Sequence, residues 1–261
     1  MAKSKNSIFP LVDPSPWPLL GGVAALLLGI GLVLFMHQKG CELLFLGAGV
    51  LLWVFWGWWR DMLKEASAEA YTPLVERVLR GGFVLFILSE TMFFVAFFWA
   101  FLDVSLLMEQ WPPQGIRLLD PLEWPYLNTV ILLLSGTSLT WAHHSLLRHD
   151  NKSLVWGLGG TIGLGVLFSL IQGWEYLHAT FGFREGIYPS VFYMATGFHG
   201  LHVLIGIGFL GFCFWRARQG LLDSRHHVAF EAACWYWQFV DVVWLFLFVI
   251  VYLWGGGERF Q

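Results

Sequence analysis

Four ionisable side chains lie inside long apolar runs of the sequence, where their chemistry would be unusual. Glu90 occurs in FILSETMFFVAFFWAF, Asp241 occurs in WQFVDVVWLFLF, and His199 and His202 occur in ATGFHGLHVLIG. Imidazole and carboxylate groups at such positions could relay protons or bind a metal ion. The i, i+3 spacing of the two histidines places them one helical turn apart, as a shared metal site would require.

A second interpretation is that these side chains only hydrogen-bond between helices, where lipid offers no polar partner. A stable metal site would need further ligands from facing helices, and Glu90 and Asp241 are the candidates. Carboxylates beside two histidines, with no thiolate, are a weak donor set for a transition metal, and nothing indicates a haem ligand. The packing interpretation is therefore favoured over a metal site or a proton relay.

The composition identifies the class of protein that carries these groups. The chain has 261 residues, of which 57% are hydrophobic and only 13% are charged, well below the soluble average of about 25%. A net charge of −3 gives no electrostatic basis for binding nucleic acid. Cys41, Cys213 and Cys234 are isolated, without the spacing of a metal site or a disulfide framework. The sequence therefore predicts an all-α membrane protein.

Seven apolar runs are long enough to span a membrane as helices. They are 17–36, 43–59, 81–102, 127–147, 154–177, 189–215 and 230–254. We predict a single subunit, 1–261, in which a charged linker, 60–80, separates a two-helix unit, 17–59, from a five-helix unit, 81–254. The sequence shows no internal repeat of the kind that is typical of many transporters.

The distribution of basic residues predicts the orientation of these helices. With the N-terminus inside, the inner segments contain eleven Lys and Arg residues and the outer segments contain four. Positive loops stay on the cytoplasmic or matrix side, so we expect the N-terminus inside and the C-terminus outside. A rise of ~1.5 Å per residue then places Glu90, Asp241 and His202 roughly 13, 16 and 21 Å from the inner surface.

Other polar residues lie nearer the predicted membrane surfaces. Glu175, near the outer end of the fifth span, is expected to reach the interface. Trp58, Trp59 and Arg216 lie at inner helix ends, where Trp side chains and cations could bind a phospholipid headgroup or act as ordinary interface anchors. The remaining inner-side histidines, expected to be solvated or interfacial, are His143, His144, His226 and His227.

Many strings in the sequence, in this order, resemble subunit III of the haem–copper cytochrome c oxidases, over residues 16–255. They are PWPLL, GWWRDM, FILSETMFFVAFFWAF, WPPQGI, LNTVILLLSG, TWAHHSLL, ATGFHGLHVLIG, FEAACWYWQFVDVVWLFLF and VYLWG. The resemblance implies a V-shaped lipid-binding cleft between the two predicted units. It also implies that this chain has no catalytic residue, metal ligand or cofactor, and that haem and copper lie in the partner subunits I and II.

The resemblance also implies roles for individual residues. Trp58, Trp59, Glu65, His202 and Arg216 match positions that contact phospholipid in the family. Glu90 matches a buried glutamate, and His199 and Asp241 become buried polar residues. Tyr71 replaces a histidine that the family often has before the third span, which leaves one headgroup contact in doubt.

The implied function is that of a non-redox subunit of the terminal oxidase, which reduces oxygen to water and pumps protons. Its partners would be subunits I and II and phospholipid, with cytochrome c reached only through the complex. The expected location is an energy-transducing membrane, either a bacterial plasma membrane or the mitochondrial inner membrane. The alternatives are the equivalent subunit of a quinol oxidase and a free-standing proton-coupled transporter that uses Glu90, Asp241 and His202.

Overall fold

A computed structural model describes residues 14–67, 73–108, 111, 118–222 and 227–255 of the chain. Across these ranges the chain forms helices and connecting turns, and no strand. The helices are α1 Trp17–Met36, α2 Glu42–Ser67, α3 Pro73–Leu107, α4 Trp124–Leu147, α5 Asn151–His178, α6 Ile187–Arg218 and α7 Val228–Leu247, which continues as a π-helical segment, Phe248–Trp254. All seven are long and apolar enough to cross a membrane, which confirms the seven predicted spans.

The chain forms two compact units, Met1–Leu79 and Arg80–Gln261. In the first unit, α1 packs against α2 through small residues. A Cβ added at Gly47 would lie 2.6 Å from the backbone nitrogen of Leu28, so only glycine permits this approach. The predicted linker 60–80 is largely helical, because α2 continues to Ser67 and α3 begins at Pro73.

In the second unit, α4 to α7 form the packed core. Each of these helices contacts the next along the chain, and α7 also contacts α4. Large side chains such as Phe168, Trp237 and Trp244 are almost completely buried there. From Arg80 onward, α3 joins the core mainly through aromatic side chains, of which Phe94 and Phe101 are each only 1% exposed.

A short turn connects α4 to α5, and Asp150 caps the second of these helices. Its carboxylate accepts hydrogen bonds from the backbone N–H groups of Lys152 and Ser153. The Ser153 hydroxyl also donates to it. The helix N-terminus therefore has its first donors satisfied before α5 enters the apolar core.

Candidate functional site

The clearest buried polar contact of the second unit joins α3 to α6. His202 Nε2 lies 2.9 Å from Glu90 Oε2, and its Nδ1 lies 2.7 Å from the backbone oxygen of Phe198. The rings of Phe94 and Tyr236 pack against the imidazole. The side chains of His202 and Glu90 are 11% and 26% exposed, so aromatic rings rather than water surround most of this pair.

The two hydrogen bonds of His202 determine how many protons the pair holds. A backbone carbonyl only accepts, so Nδ1 carries a hydrogen and donates it to Phe198. An ionised Glu90 facing an unprotonated Nε2 would set two lone pairs against each other at 2.9 Å. One proton therefore lies between Nε2 and Oε2, either as imidazolium with carboxylate or as imidazole with carboxylic acid.

His199 points to a different part of the core. Its Nε2 donates to the backbone oxygen of Val240 at 3.1 Å, and its ring packs against Phe168 and Trp244. The i, i+3 spacing therefore sends one imidazole toward α7 and α5 and the other toward α3. Among the described residues, no group of three or more His, Cys, Asp and Glu side chains could hold a metal ion.

Asp241 does not complete a site with these groups. It is 6% exposed on α7, and its carboxylate lies against Gly136 of α4. Its Oδ1 is buried and finds no hydrogen-bond partner within the described ranges. Glu90, His202 and Asp241 are all predicted near the middle of the membrane, but only Glu90 and His202 contact each other.

The residues predicted to bind phospholipid occur in both units. In the first unit, Trp58 and Trp59 are 37% and 43% exposed on α2. Glu65 belongs to the last turns of α2, but its side chain and all of Tyr71 lie outside the described residues. In the second unit, Arg216 is half-buried near the end of α6 and donates to the backbone oxygen of Leu221.

Basic and aromatic side chains lie together near the end of α2 in the first unit. The guanidinium of Arg60 lies 5.1 Å from the centre of the Trp56 ring. Asp61 accepts from Lys64 at 3.3 Å and from the Trp17 indole at 2.7 Å. Arg60 is thus held beside an aromatic ring and Lys64 beside Asp61, and the cation next to the ring suits an amphipathic anionic ligand.

Sequence reasoning missed an ion pair that joins the start of the second unit to α7. Arg80 Nε donates to Glu231 Oε2 at 2.6 Å, and His227 Nε2 lies 3.3 Å from the other carboxylate oxygen. The ring of His143 lies 5.9 Å from that of His227. His226 lies outside the described residues. Arg80 and Glu231 lie 151 positions apart, so only the three-dimensional fold reveals this cluster.

The fold and these contacts define a class of protein, a helical integral membrane protein whose buried polar side chains hydrogen-bond to the backbone and to one another. Comparisons with known proteins identify the family. The family model "Cytochrome c oxidase subunit III" matches residues 7–256. The chain is 51% identical to the cytochrome c oxidase subunit 3 of Arabidopsis thaliana over 98% of this chain and 100% of that protein. It is 50% identical to that of Bos taurus over 95% and 97%.

The chain belongs to the cytochrome c oxidase subunit III family. The predicted resemblance is confirmed. The chain is thus a non-catalytic subunit of a haem–copper oxidase complex and resides in an energy-transducing inner membrane. The family assignment removes the basis for the free-standing transporter.

Proposed function

We propose that this subunit binds phospholipid, packs against subunit I, and supports proton uptake by the oxidase. Subunits I and II would then hold the haem and copper, and cytochrome c would meet only the assembled complex. The observation that carries the lipid proposal is that the end of α2 bears exposed Trp58 and Trp59 together with Arg60, whose guanidinium lies over the exposed Trp56 ring. Indole rings suit the membrane interface, and cations beside them suit a phosphate group.

Arg216 is the proposed headgroup ligand of the second unit. Its guanidinium can bind phosphate through two parallel hydrogen bonds, which Lys or Gln cannot reproduce. Arg218 is a matched control on the same helix, because it lies over the Phe214 ring and is exposed. Lipid bound to the purified complex would be counted by mass spectrometry. Arg216→Gln is expected to lose phospholipid and Arg218→Gln to keep it, whereas equal retention would contradict the proposal.

A direct role for His202 in lipid binding stays a prediction. Both of its ring nitrogens have protein partners, so a lipid headgroup would compete with them for hydrogen bonds. The predicted cleft between the units and the inside N-terminus also stay predictions. A reporter fused to the C-terminus tests the orientation. Activity of that reporter on the outer side of the membrane would support it, and activity on the inner side would reverse it.

Association with the other subunits is tested through a tag on this chain. The intact complex would be extracted in mild detergent and its reduced-minus-oxidised spectrum recorded with a metal analysis. Haem and copper that co-purify with two larger chains would support the proposed partners. A colourless, metal-free chain would contradict them.

The proposed contribution to proton uptake rests on the cluster where α4 ends and α7 begins. His143 and His227 lie together there with Glu231 and Arg80, so protonatable groups are concentrated at one end of the second unit. Replacing both histidines with Asn is expected to slow proton uptake by the oxidase and to change its pH dependence. An unchanged rate and pH profile would exclude a collecting role.

A further inference from the structure

A second buried polar cluster joins α4, α5 and the π-helical segment, in a place where the sequence predicted none. Its members are Asn128, Gln172, Glu175 and Tyr252, each no more than 5% exposed. Glu175 was expected to reach the membrane interface. The structure corrects this, since the side chain is 3% exposed and turns into the core.

Hydrogen bonds connect the four side chains in sequence. Asn128 Nδ2 donates to Gln172 Oε1 at 3.4 Å, and Gln172 Nε2 donates to Glu175 Oε1 at 3.2 Å. The Tyr252 hydroxyl donates to the same Oε1 at 2.6 Å. One oxygen of Glu175 therefore accepts two hydrogen bonds, which leaves the other oxygen as the site for a proton.

Two acceptor atoms of the cluster are left over. Glu175 Oε2 and Asn128 Oδ1 are buried and have no hydrogen-bond partner among the described residues. Both belong to side chains that flank the Gln172 amide, so they lie at the two ends of the same chain of hydrogen bonds. Two unmatched acceptors require a donor, and the Tyr252 hydroxyl and the Gln172 amide N–H groups already donate within the cluster.

The charge of Glu175 is also unbalanced if the side chain is ionised. No ion pair within the described ranges involves it, and its hydrogen-bond partners, Gln172 and Tyr252, are neutral. A carboxylate that is buried without a cation costs far more free energy than the corresponding acid. Protonation at Oε2 removes the charge and turns one unmatched acceptor into a donor.

We propose that Glu175 holds a proton on Oε2 and that the cluster binds one water molecule. The water accepts the hydrogen bond from Oε2–H and donates one to Asn128 Oδ1, which closes a ring through Gln172. Every polar atom of the ring is then matched, as buried water typically achieves in proteins. This site is independent of the proposed lipid binding and proton collection.

The π-helical segment supports this arrangement. Tyr252 lies within Phe248–Trp254, where the wider turn changes the direction of the following side chains relative to a continuous α-helix. The Tyr252 hydroxyl meets Glu175 from this segment while its ring packs against Trp244 and Phe192. Single π-helical turns occur frequently at functional sites, and here the turn presents a donor to the buried acid.

Infrared spectroscopy of the intact, tagged oxidase tests whether Glu175 is protonated. A protonated carboxylic acid has a carbonyl stretch that ionised carboxylates lack. We expect that band to shift in D₂O and one component to be lost in Glu175→Gln. Glu185→Gln is the control, because Glu185 is exposed in the loop before α6 and its loss is expected to leave the band unchanged. A band unaffected by Glu175→Gln would overturn the proposal.

Two further measurements keep the proposal testable if that variant assembles poorly. Tyr252→Phe removes one hydrogen bond to the carbonyl oxygen, so the band is expected to move to higher frequency without being lost. An unmoved band would contradict the assignment to Glu175.

A density map of the complex that resolves water would test the proposed water molecule. A peak within hydrogen-bond reach of both Glu175 Oε2 and Asn128 Oδ1 is expected. Direct contact of the two oxygens would overturn the water site, and stability of the wild-type complex that depends on sodium ions would indicate a bound cation instead.

Discussion

Glycine at two positions makes room for Trp237, and replacing either glycine should lower the stability of the protein measurably. Trp237 is 0% exposed, and its indole donates to the Ser135 hydroxyl at 2.9 Å. A Cβ added at Gly206 on α6 would lie 2.8 Å from the ring, and one at Gly165 on α5 would lie 2.6 Å from it. The ring is held on both sides and by its hydrogen bond, so it cannot move away freely.

The expected magnitude follows from two opposing effects. Overpacking a filled core costs about 1–3 kcal/mol. Replacing glycine with alanine in a helix returns up to about 1 kcal/mol from backbone entropy. Gly208→Ala has only the second effect, since a Cβ at Gly208, two residues along the same helix, meets nothing within 4 Å. The difference between Gly206→Ala and this control should therefore be about 1–3 kcal/mol.

Thermal unfolding of the purified complex, followed through release of this chain, measures that difference. For chains of this size roughly 2–4 °C corresponds to 1 kcal/mol, so Gly206→Ala should melt about 2–12 °C below Gly208→Ala. Gly165→Ala and its control Gly163→Ala, which also meets nothing within 4 Å, give an independent pair on α5. Equal melting temperatures within both pairs would refute the argument that glycine is required for this packing.

Three further predictions concern hydrogen bonds and pH. A double-mutant cycle of Glu90→Ala and His202→Ala should give a coupling of about 1–2 kcal/mol in thermal unfolding, and additive effects would contradict the hydrogen bond between the two side chains. Trp111→Phe should cost about 1–3 kcal/mol, because it leaves the Gly255 carbonyl without its 2.9 Å partner, and an unchanged melting temperature would contradict this. The Ser153 hydroxyl, then backbone N–H groups, lower the pKa of Asp150 below its usual 3.8. Its stabilisation is therefore complete above that value and lost as pH falls through the lowered pKa, so Asp150→Asn should flatten acid unfolding, and parallel curves would contradict it.

The sequence predicted the number of helices well and their ends less well. The first span matches α1 in full, because the apolar run and the helix both end at Met36. The charged ends of α2 and α3 were missed, since hydropathy detects the part that crosses lipid and not the turns that continue into water. The π-helical segment, FVIVYLW, is apolar like the α-helix before it, so hydropathy does not distinguish the two.

The sequence predicted which residues belong to the candidate site but not which of them hydrogen-bond to each other. Counting residues gives the depth of Glu90 and His202 in the membrane, yet depth does not determine which way a side chain points around its helix. Rotation of α6 brings His202 to Glu90 and turns His199 toward Val240. Glu175 was misplaced for the same reason, because α5 buries the face that carries it against α4 and the π-helical segment.

Three acids of the second unit, the partly buried Glu90 and the buried Glu175 and Asp241, differ in what each can do with a proton. Glu90 has a base beside it, so its proton can pass to His202 without leaving the pair. Glu175 has only neutral hydrogen-bond donors beside it, so no neighbouring base can receive its proton. Asp241 faces the backbone of Gly136 and has an unmatched oxygen.

Among these three acids, Glu90 is the one that hydrogen-bonds to an imidazole in the described structure. Replacing His202 with an apolar residue removes the only imidazole that hydrogen-bonds to Glu90 in the described structure. Glu90 then has no base within the pair to receive its proton, as is already the case for Glu175. Replacing Glu90 with Gln should lower the melting temperature less than this change, because the new amide can donate to Nε2 of a neutral His202. Comparing the two losses of stability distinguishes a shared proton from simple packing. If the two side chains only packed together, both changes would lower the stability by about the same amount.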